Sequence, residues 1–301
     1  MAPGPPYGAV LPGFLFLRWV LHPLSATLAS AFSTIGTYEM VRAFSGKRCT
    51  EEGREADAVM AMSLSQKITV YAYAALFTPL FYLVEHFAPG EGYRGMLVLS
   101  FLFALILFCL LVFDHRRTNL LGTGAAMISG FYPTAILATM LLANEFRTAS
   151  TLALQLMFVT PAVADTFAFA VGSVLKGPKL CPNISPKKTV SGAVGGVVFG
   201  TAASVLLYFL YAHTTGYVYE GLGSSWAGAP WLMSAVIGAV TSLLTEFGDL
   251  VESVIKRRLG IKDMGRLLPG HGGILDRIDG TLFASTFIYV VFALLIVHTW
   301  L

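Results

Sequence analysis

Seven stretches of this chain are each long and apolar enough to cross a lipid bilayer, and no other feature constrains its fold as much. A bilayer core about 30 Å thick takes roughly 20 helical residues to cross. Lys67 to Phe87, Gly95 to Phe113, Leu120 to Ala143, Ala149 to Leu175, Val190 to His213, Trp231 to Leu250 and Gly280 to Trp300 meet that length. An eighth stretch, about Trp19 to Phe44, is interrupted by His22, Pro23, Glu39 and Arg42. Every backbone N–H and C=O in hydrocarbon needs an internal partner. The expected fold is therefore all-α: an integral membrane protein, a polytopic bundle of about eight transmembrane helices with a polar cavity facing the cytoplasm.

Composition agrees. Of the 301 residues, 55% are apolar and only 12% charged, about half the roughly 25% of a soluble globular chain. A soluble enzyme, a disordered chain and a secreted disulfide scaffold are excluded. Cys49, Cys109 and Cys181 lie far apart and in no CxxC or CxxH spacing, so neither a zinc site nor a disulfide framework is indicated. The opening MAPGPPYGAVLPG has no basic n-region and does not read as a cleavable signal peptide.

The net charge is only +3, but its distribution sets the orientation. The loops after spans one, three, five and seven hold 17 of the 20 Lys and Arg residues. Positive-inside bias places those loops in the cytoplasm and both termini outside. Trp226, Trp231 and Trp300 then fall near outer ends, as an aromatic belt requires. The polar segment Ser45 to Gln66 mixes charge signs and reads as a solvated linker or short surface helix. The chain divides into N-terminal membrane helices, 1–148, and a C-terminal membrane region, 149–301, that carries the polar loops.

Ionisable groups within a span are expensive and mark function by default. Asp165 sits inside span five, in PAVADTFAF. Span seven ends TSLLTEFGDLVESVIKRR, where Ser242, Glu246, Asp249, Ser253 and Lys256 follow each other at helical steps of three and four along one stripe. Such a stripe is expected to line a wet cavity. Loop seven, KRRLGIKDMGRLLPGHGGILDRIDG, sets cations among Asp263, His271, Asp276 and Asp279, with four glycines and a proline between Gly265 and Gly273. Those glycines demand tight turns and let backbone approach a ligand. Asp276 and Asp279 come where apolar periodicity resumes, at the N-terminal end of span eight, whose dipole favours anions. Carboxylate oxygens suit Mg²⁺, which takes one or two of them and completes its octahedron with water and phosphate oxygens. Loop five, GPKLCPNISPKKTVSGAVGG, lacks a Walker pattern, yet Lys187, Lys188, Ser185 and Thr189 at a helix start could clamp phosphate as readily as anchor the membrane.

Ser253 to Asp279, SVIKRRLGIKDMGRLLPGHGGILDRID, resembles the signature of the phosphatidate cytidylyltransferases, or CDP-diacylglycerol synthases. The Ser-x-x-Lys-Arg opening, the Lys-Asp pair, His-Gly-Gly and the closing Asp-Arg-x-Asp are all present. Asp165-Thr166, and Ser185-Pro186-Lys187-Lys188-Thr189 followed by Gly192, Gly195 and Gly196, are similar to two further blocks of that family. Val190 and Ser191 stand where the family has a Trp-Glu pair, and Phe169 stands where a tyrosine is common. The resemblance implies that CTP and phosphatidic acid give CDP-diacylglycerol and pyrophosphate, with Mg²⁺ and a second, monovalent cation (K⁺). It implies metal ligation by Asp249, Asp276, Asp279 and Asp165, and catalytic roles for Asp249, Lys256, His271, Asp276 and Asp279. His271 would position substrate or carry a proton. Ser185, Lys187, Lys188, Thr189, Arg257, Lys262, Asp263 and Arg277 form the implied substrate-binding set.

The partners expected are CTP, phosphatidic acid and the membrane lipid bilayer, with no nucleic acid. A homodimer is compatible with lipid-facing helices, which often pair. The expected location is a bacterial cytoplasmic (inner) membrane. A related CTP-dependent lipid enzyme, either an ether-lipid CDP synthase or a polyprenol-type kinase, is the first alternative. An ion-coupled transporter using Asp165, Glu246 and Asp249 is the second; the crowding of polar groups on one side speaks against it.

Overall fold

The computed structural model describes residues 12–45, 62–146, 149–216, 229–267 and 272–296. Its helices are α1 (Pro12–Ser45), α2 (Leu64–Phe87), α3 (Gly92–Phe113), α4 (Leu120–Gly130), α5 (Ile136–Asn144), α6 (Ser150–Leu175), α7 (Val190–Thr215), α8 (Pro230–Arg258) and α9 (Leu275–Val291). Wider π-helical turns, Phe131–Ala135 and Phe292–Ile296, join α4 to α5 and continue α9. Among the described residues, seven helical stretches are long and apolar enough to cross a membrane, α4 to α5 counting as one. The interrupted first stretch is also helical, as the 34-residue α1, but is not among those seven. The protein is an all-α polytopic membrane protein. Trp231 is exposed near the start of α8, while Trp226, Trp300 and most of the Ser45 to Gln66 segment lie outside the described residues.

Several helix ends follow from local chemistry. Ser63 caps α2 and forms a reciprocal box with Gln66, each side chain bonding the other's backbone N–H. Asn119 caps α4 through the Gly122 N–H at 2.6 Å. Helix α8 runs two turns past the apolar limit at Leu250, carrying its charged stripe with it, and stops at Gly260, whose φ of +63° ends the helix. Helix α9 starts at Leu275, more than a turn before the apolar limit at Gly280, which puts both Asp276 and Asp279 inside it.

Loop five is ordered rather than irregular. Lys179–Cys181 (β1) and Ser185–Thr189 (β2) form an antiparallel hairpin, with Lys179 opposite Thr189 and Cys181 opposite Ser185. Thr189 then caps α7, its hydroxyl accepting the Gly192 N–H at 3.1 Å. Arg257 Nε donates to the Ile184 carbonyl at 3.4 Å, so loops five and seven meet at one end of the bundle.

Helices α6 and α7 pack backbone to backbone through small residues. A Cβ on Gly192 would lie 2.6 Å from the Ala168 carbonyl oxygen, and one on Gly196 would lie 2.9 Å from that of Ala164. Gly200 admits Ser242 of α8 at the same seam. This closeness brings α6, with Asp165, against α8 and the end of the hairpin. The N-terminal helices are not a separate layer, since α1 and α5 both pack on α9.

Candidate active site

The stripe on α8 places its charged groups where the hairpin and α9 converge. Glu246, Asp249, Glu252 and Lys256 follow at steps of three and four, so they share one face. Each of two lysines bridges two carboxylates there. Lys188, from β2, reaches Glu246 at 2.5 Å and Asp249 at 2.7 Å. Lys256 reaches Asp276 at 2.8 Å and Glu252 at 3.3 Å. Burial works against the Lys188 ammonium, yet Asp249 and Glu246 more than offset it and lift its pKa above the ordinary lysine value. Lys188 stays charged.

Asp276 organises loop seven. Its Oδ1 takes Lys256, while its Oδ2 accepts the backbone N–H groups of Met264 at 2.9 Å and Gly273 at 2.8 Å. Gly272, at a φ of +85°, makes the turn, and a side chain there would run into the Asp276 carboxylate. Asp279 accepts its neighbour's N–H, from Gly280, at 2.8 Å and hydrogen-bonds Glu252. Two carboxyl groups at that range repel unless a proton or cation lies between them. Asp165, on α6, is surface-accessible and lies within electrostatic range of Asp279, Glu246, Asp249 and Lys188.

Asp165, Lys188, Asp249, Lys256, Asp276 and Asp279 thus come together as one network. Lys187, Arg257, Lys262, Asp263 and Arg277 are exposed around it, and Ser185 is half-buried in β2. Thr189 is buried, engaged with Gly192 and Ser191. His271 lies outside the described residues.

Three residues were not in the sequence-derived site. Glu246 was legible as part of the stripe. Glu252 was legible in principle, three residues after Asp249 and four before Lys256; it is fully buried, and its Oε1 has no hydrogen-bond partner. Glu39 was legible only as an ionisable group interrupting the first apolar stretch, with nothing local to name its partners. From α1 it accepts the N–H of Ile274 at 3.0 Å and of Leu275 at 2.9 Å, closing the N-terminus of α9. Its carboxylate fills the space a side chain at Gly265 or Gly273 would need.

Among the described residues, no three or more His, Cys, Asp or Glu side chains are gathered so as to cage a metal ion by themselves. Mg²⁺ does not need such a cage, since it keeps waters and takes substrate phosphates beside one or two carboxylates. The donor set fits a hard cation. Six carboxyl groups face two ammonium groups, and Glu252 Oε1 is buried without a partner.

The fold and this centre define a membrane-embedded helical protein built around a carboxylate and lysine network at one end of its last helices. The chain belongs to the cytidylyltransferase family, whose model matches residues 8–295. It is 40% identical over 134 residues to a phosphatidate cytidylyltransferase of Brucella abortus, a stretch covering 44% of each chain. It is 40% identical over 140 residues to one from Mycobacterium bovis, covering 46% of this chain and 40% of the relative. A Mycobacterium leprae protein of the same name is 38% identical over 139 residues, covering 46% and 40%. The aligned stretch is therefore less than half the length of these relatives.

Proposed function

We propose that this chain transfers the cytidylyl group of CTP to phosphatidic acid, releasing pyrophosphate, at the cytoplasmic face of a bacterial inner membrane. The observation that carries the reading is the paired bridging of Lys188 and Lys256 across an excess of carboxylates, beside exposed Lys187, Arg257, Lys262 and Arg277. Family membership and the names of the relatives point the same way.

In this reaction an oxygen of the lipid phosphate attacks the α-phosphorus of CTP in line. A new P–O–P linkage forms, and the bond to the β-phosphate breaks, its electron pair leaving with pyrophosphate. Both reactants are anions, so the main obstacle is electrostatic. Lys188 and Lys256, held at fixed positions by two carboxylates each, present ammonium groups where negative charge builds up, without needing to reorganise. Asp249, Asp276, Asp279 and Asp165 are the proposed holders of Mg²⁺, and a monovalent cation would further balance the acidic surplus. Bound Mg²⁺ would polarise the phosphoryl oxygens and offset charge on the leaving group. The exposed cations and Ser185 would steer the triphosphate in, and Asp276 would keep the Gly272 turn shaped for close approach. No protein nucleophile is required.

The direct test is purified protein with α-labelled CTP, phosphatidic acid and Mg²⁺, followed by lipid extraction. Labelled liponucleotide with pyrophosphate is the expected result. Release of CDP with phosphorylated lipid would overturn it in favour of a kinase, and the absence of any lipid product would remove both readings.

Replacing Lys187 and Lys188 together by Ala is expected to raise the apparent KM for CTP about tenfold or more, since two cations leave the phosphate path. Losing Lys188 also leaves Glu246 and Asp249 without their bridge, so the thermal midpoint is measured alongside. An unchanged KM in a folded variant would reduce the hairpin to a membrane anchor.

A further inference from the structure

Lys188 reaches the site from a hairpin of two short strands, β1 and β2, and a lone two-stranded hairpin is too small to hold a side chain still by itself. The position of Lys188 therefore depends on how the base of the hairpin is tied to the helices on either side. On the incoming side α6 gives way to Lys176, whose φ of +54° is a left-handed value, followed by Gly177 at +107°. Among the described residues, Lys176 is the one non-glycine residue with a positive φ. A residue in that region persists only where its surroundings hold it there. On the outgoing side α7 begins directly after β2.

The Ser191 side chain joins the two sides. Its hydroxyl donates to the Lys176 carbonyl and lies 3.2 Å from the Thr189 hydroxyl, which accepts the Gly192 N–H. Next to it the Val190 N–H donates to the Pro178 carbonyl at 3.0 Å, and Lys179 pairs with Thr189 across the ladder. The packing leaves little slack, since a Cβ on Gly172 of α6 would lie 2.7 Å from the Thr189 hydroxyl oxygen. Of these ties, the Ser191 bond is the one made to the residue in the unfavourable conformation. Without it Lys176 is free to relax towards negative φ, carrying Pro178 and β1 along. Lys188 follows, because it adjoins Thr189 in the ladder. Its ammonium meets Glu246 at 2.5 Å and Asp249 at 2.7 Å, and contacts of that length are lost with a shift of about 1 Å.

We propose that Ser191 is a positioning residue, whose hydrogen bond to the Lys176 carbonyl fixes the base of the hairpin and so sets where Lys188 stands in the site. The proposal rests on the cytidylyltransferase reading for its kinetic consequence, while the placement of Lys188 is measured without turnover. Ser191 is no phosphate ligand in this arrangement, since its proton is given to a backbone carbonyl.

The experiment compares wild type with Ser191→Ala, Ser191→Thr, Lys176→Gly and the double variant Lys176→Gly with Ser191→Ala, each purified in detergent. Acetylation of the Lys188 amine is followed by mass spectrometry against Lys262, which is exposed in loop seven. In Ser191→Ala the relative labelling of Lys188 is expected to rise about fivefold, and kcat/KM for CTP to fall about as far. Ser191→Thr keeps the hydroxyl and is expected to match wild type in both. Glycine accepts a positive φ freely, so in the Lys176→Gly background the alanine substitution is expected to change labelling by less than about twofold. A lower thermal midpoint in Ser191→Ala with Lys188 labelling and kcat/KM as in wild type would make Ser191 merely structural and overturn the proposal. Equal effects of Ser191→Ala in both backgrounds, or a threonine variant that behaves like alanine, would overturn it as well. If Ser191→Ala does not fold, the double variant decides: wild-type protection of Lys188 there supports the proposal, and failure to fold overturns it. If wild type makes no liponucleotide, the reaction assignment fails while the labelling still decides Ser191.

Discussion

Asp279→Asn is expected to abolish liponucleotide formation, by about a thousandfold or more, while the helix bundle stays folded. The asymmetry follows from what Asp279 touches. One of its oxygens accepts the Gly280 N–H at 2.8 Å, and asparagine keeps an oxygen for that bond. Its other contact is Glu252, to which an amide can donate, so asparagine removes a repulsion without opening a gap. The backbone beside it is fixed independently, because Gly248 of α8 sits so close that a Cβ there would be 2.6 Å from the Asp279 carbonyl. What the amide cannot supply is negative charge for a hard cation, and loss of one strong electrostatic contact to a transition state costs about 10²–10³ in rate. Asp276→Asn makes an instructive contrast. Its Oδ2 serves two backbone N–H groups and its Oδ1 serves Lys256, so an amide nitrogen must confront a donor whichever way it turns. That variant is expected to lose activity together with loop order, read as faster tryptic cleavage at Lys262 or Arg266. Turnover and thermal midpoint of both variants decide the matter. Retained turnover in the folded double variant would remove the metal assignment.

The difference between those two aspartates was not legible in the sequence, where both stand three apart at the mouth of one helix. Spans were legible because hydrocarbon leaves a chain no choice but long apolar helices. The stripe from Glu246 to Lys256 was legible because helical spacing alone puts those residues together. What was not legible is which groups the stripe meets: the bridges from Lys188 to Asp249 and from Lys256 to Asp276 are supplied only by tertiary structure. The hairpin at Lys179–Cys181 and Ser185–Thr189 is too short and too polar for a period-two signal, and Pro186 within it argues against a strand. Glu39 shows in the sequence only as an ionisable group interrupting the first apolar stretch, and its role depends on Ile274 and Leu275, far along the chain.

Glu39 carries the second large effect. Glu39→Ala is expected to loosen loop seven and reduce turnover about a hundredfold. The first N–H groups of a helix have no partner within it, and in α9 two of them, from Ile274 and Leu275, end on the two oxygens of this one carboxylate. Alanine leaves both donors buried and unmet, at about 1–3 kcal/mol each. It also empties the space between Gly265 and Gly273, which lack side chains where the carboxylate sits. The Asp276 bonds to Met264 and Gly273 would then carry more of the restraint on loop seven, and opening there is expected to become about tenfold or more easier. Displacement of a substrate-positioning loop by about 1 Å can lower a rate a hundredfold. Glu39→Gln should fall between wild type and alanine, because one oxygen remains for one of the two donors while the amide nitrogen opposes the other. Limited trypsin digestion reports the loop, and the liponucleotide assay reports its consequence. The global thermal midpoint should drop less than cleavage accelerates, since α1 also packs on α2 and α5. If Glu39→Ala is cleaved at the wild-type rate and turns over normally, α1 is no part of loop seven's support.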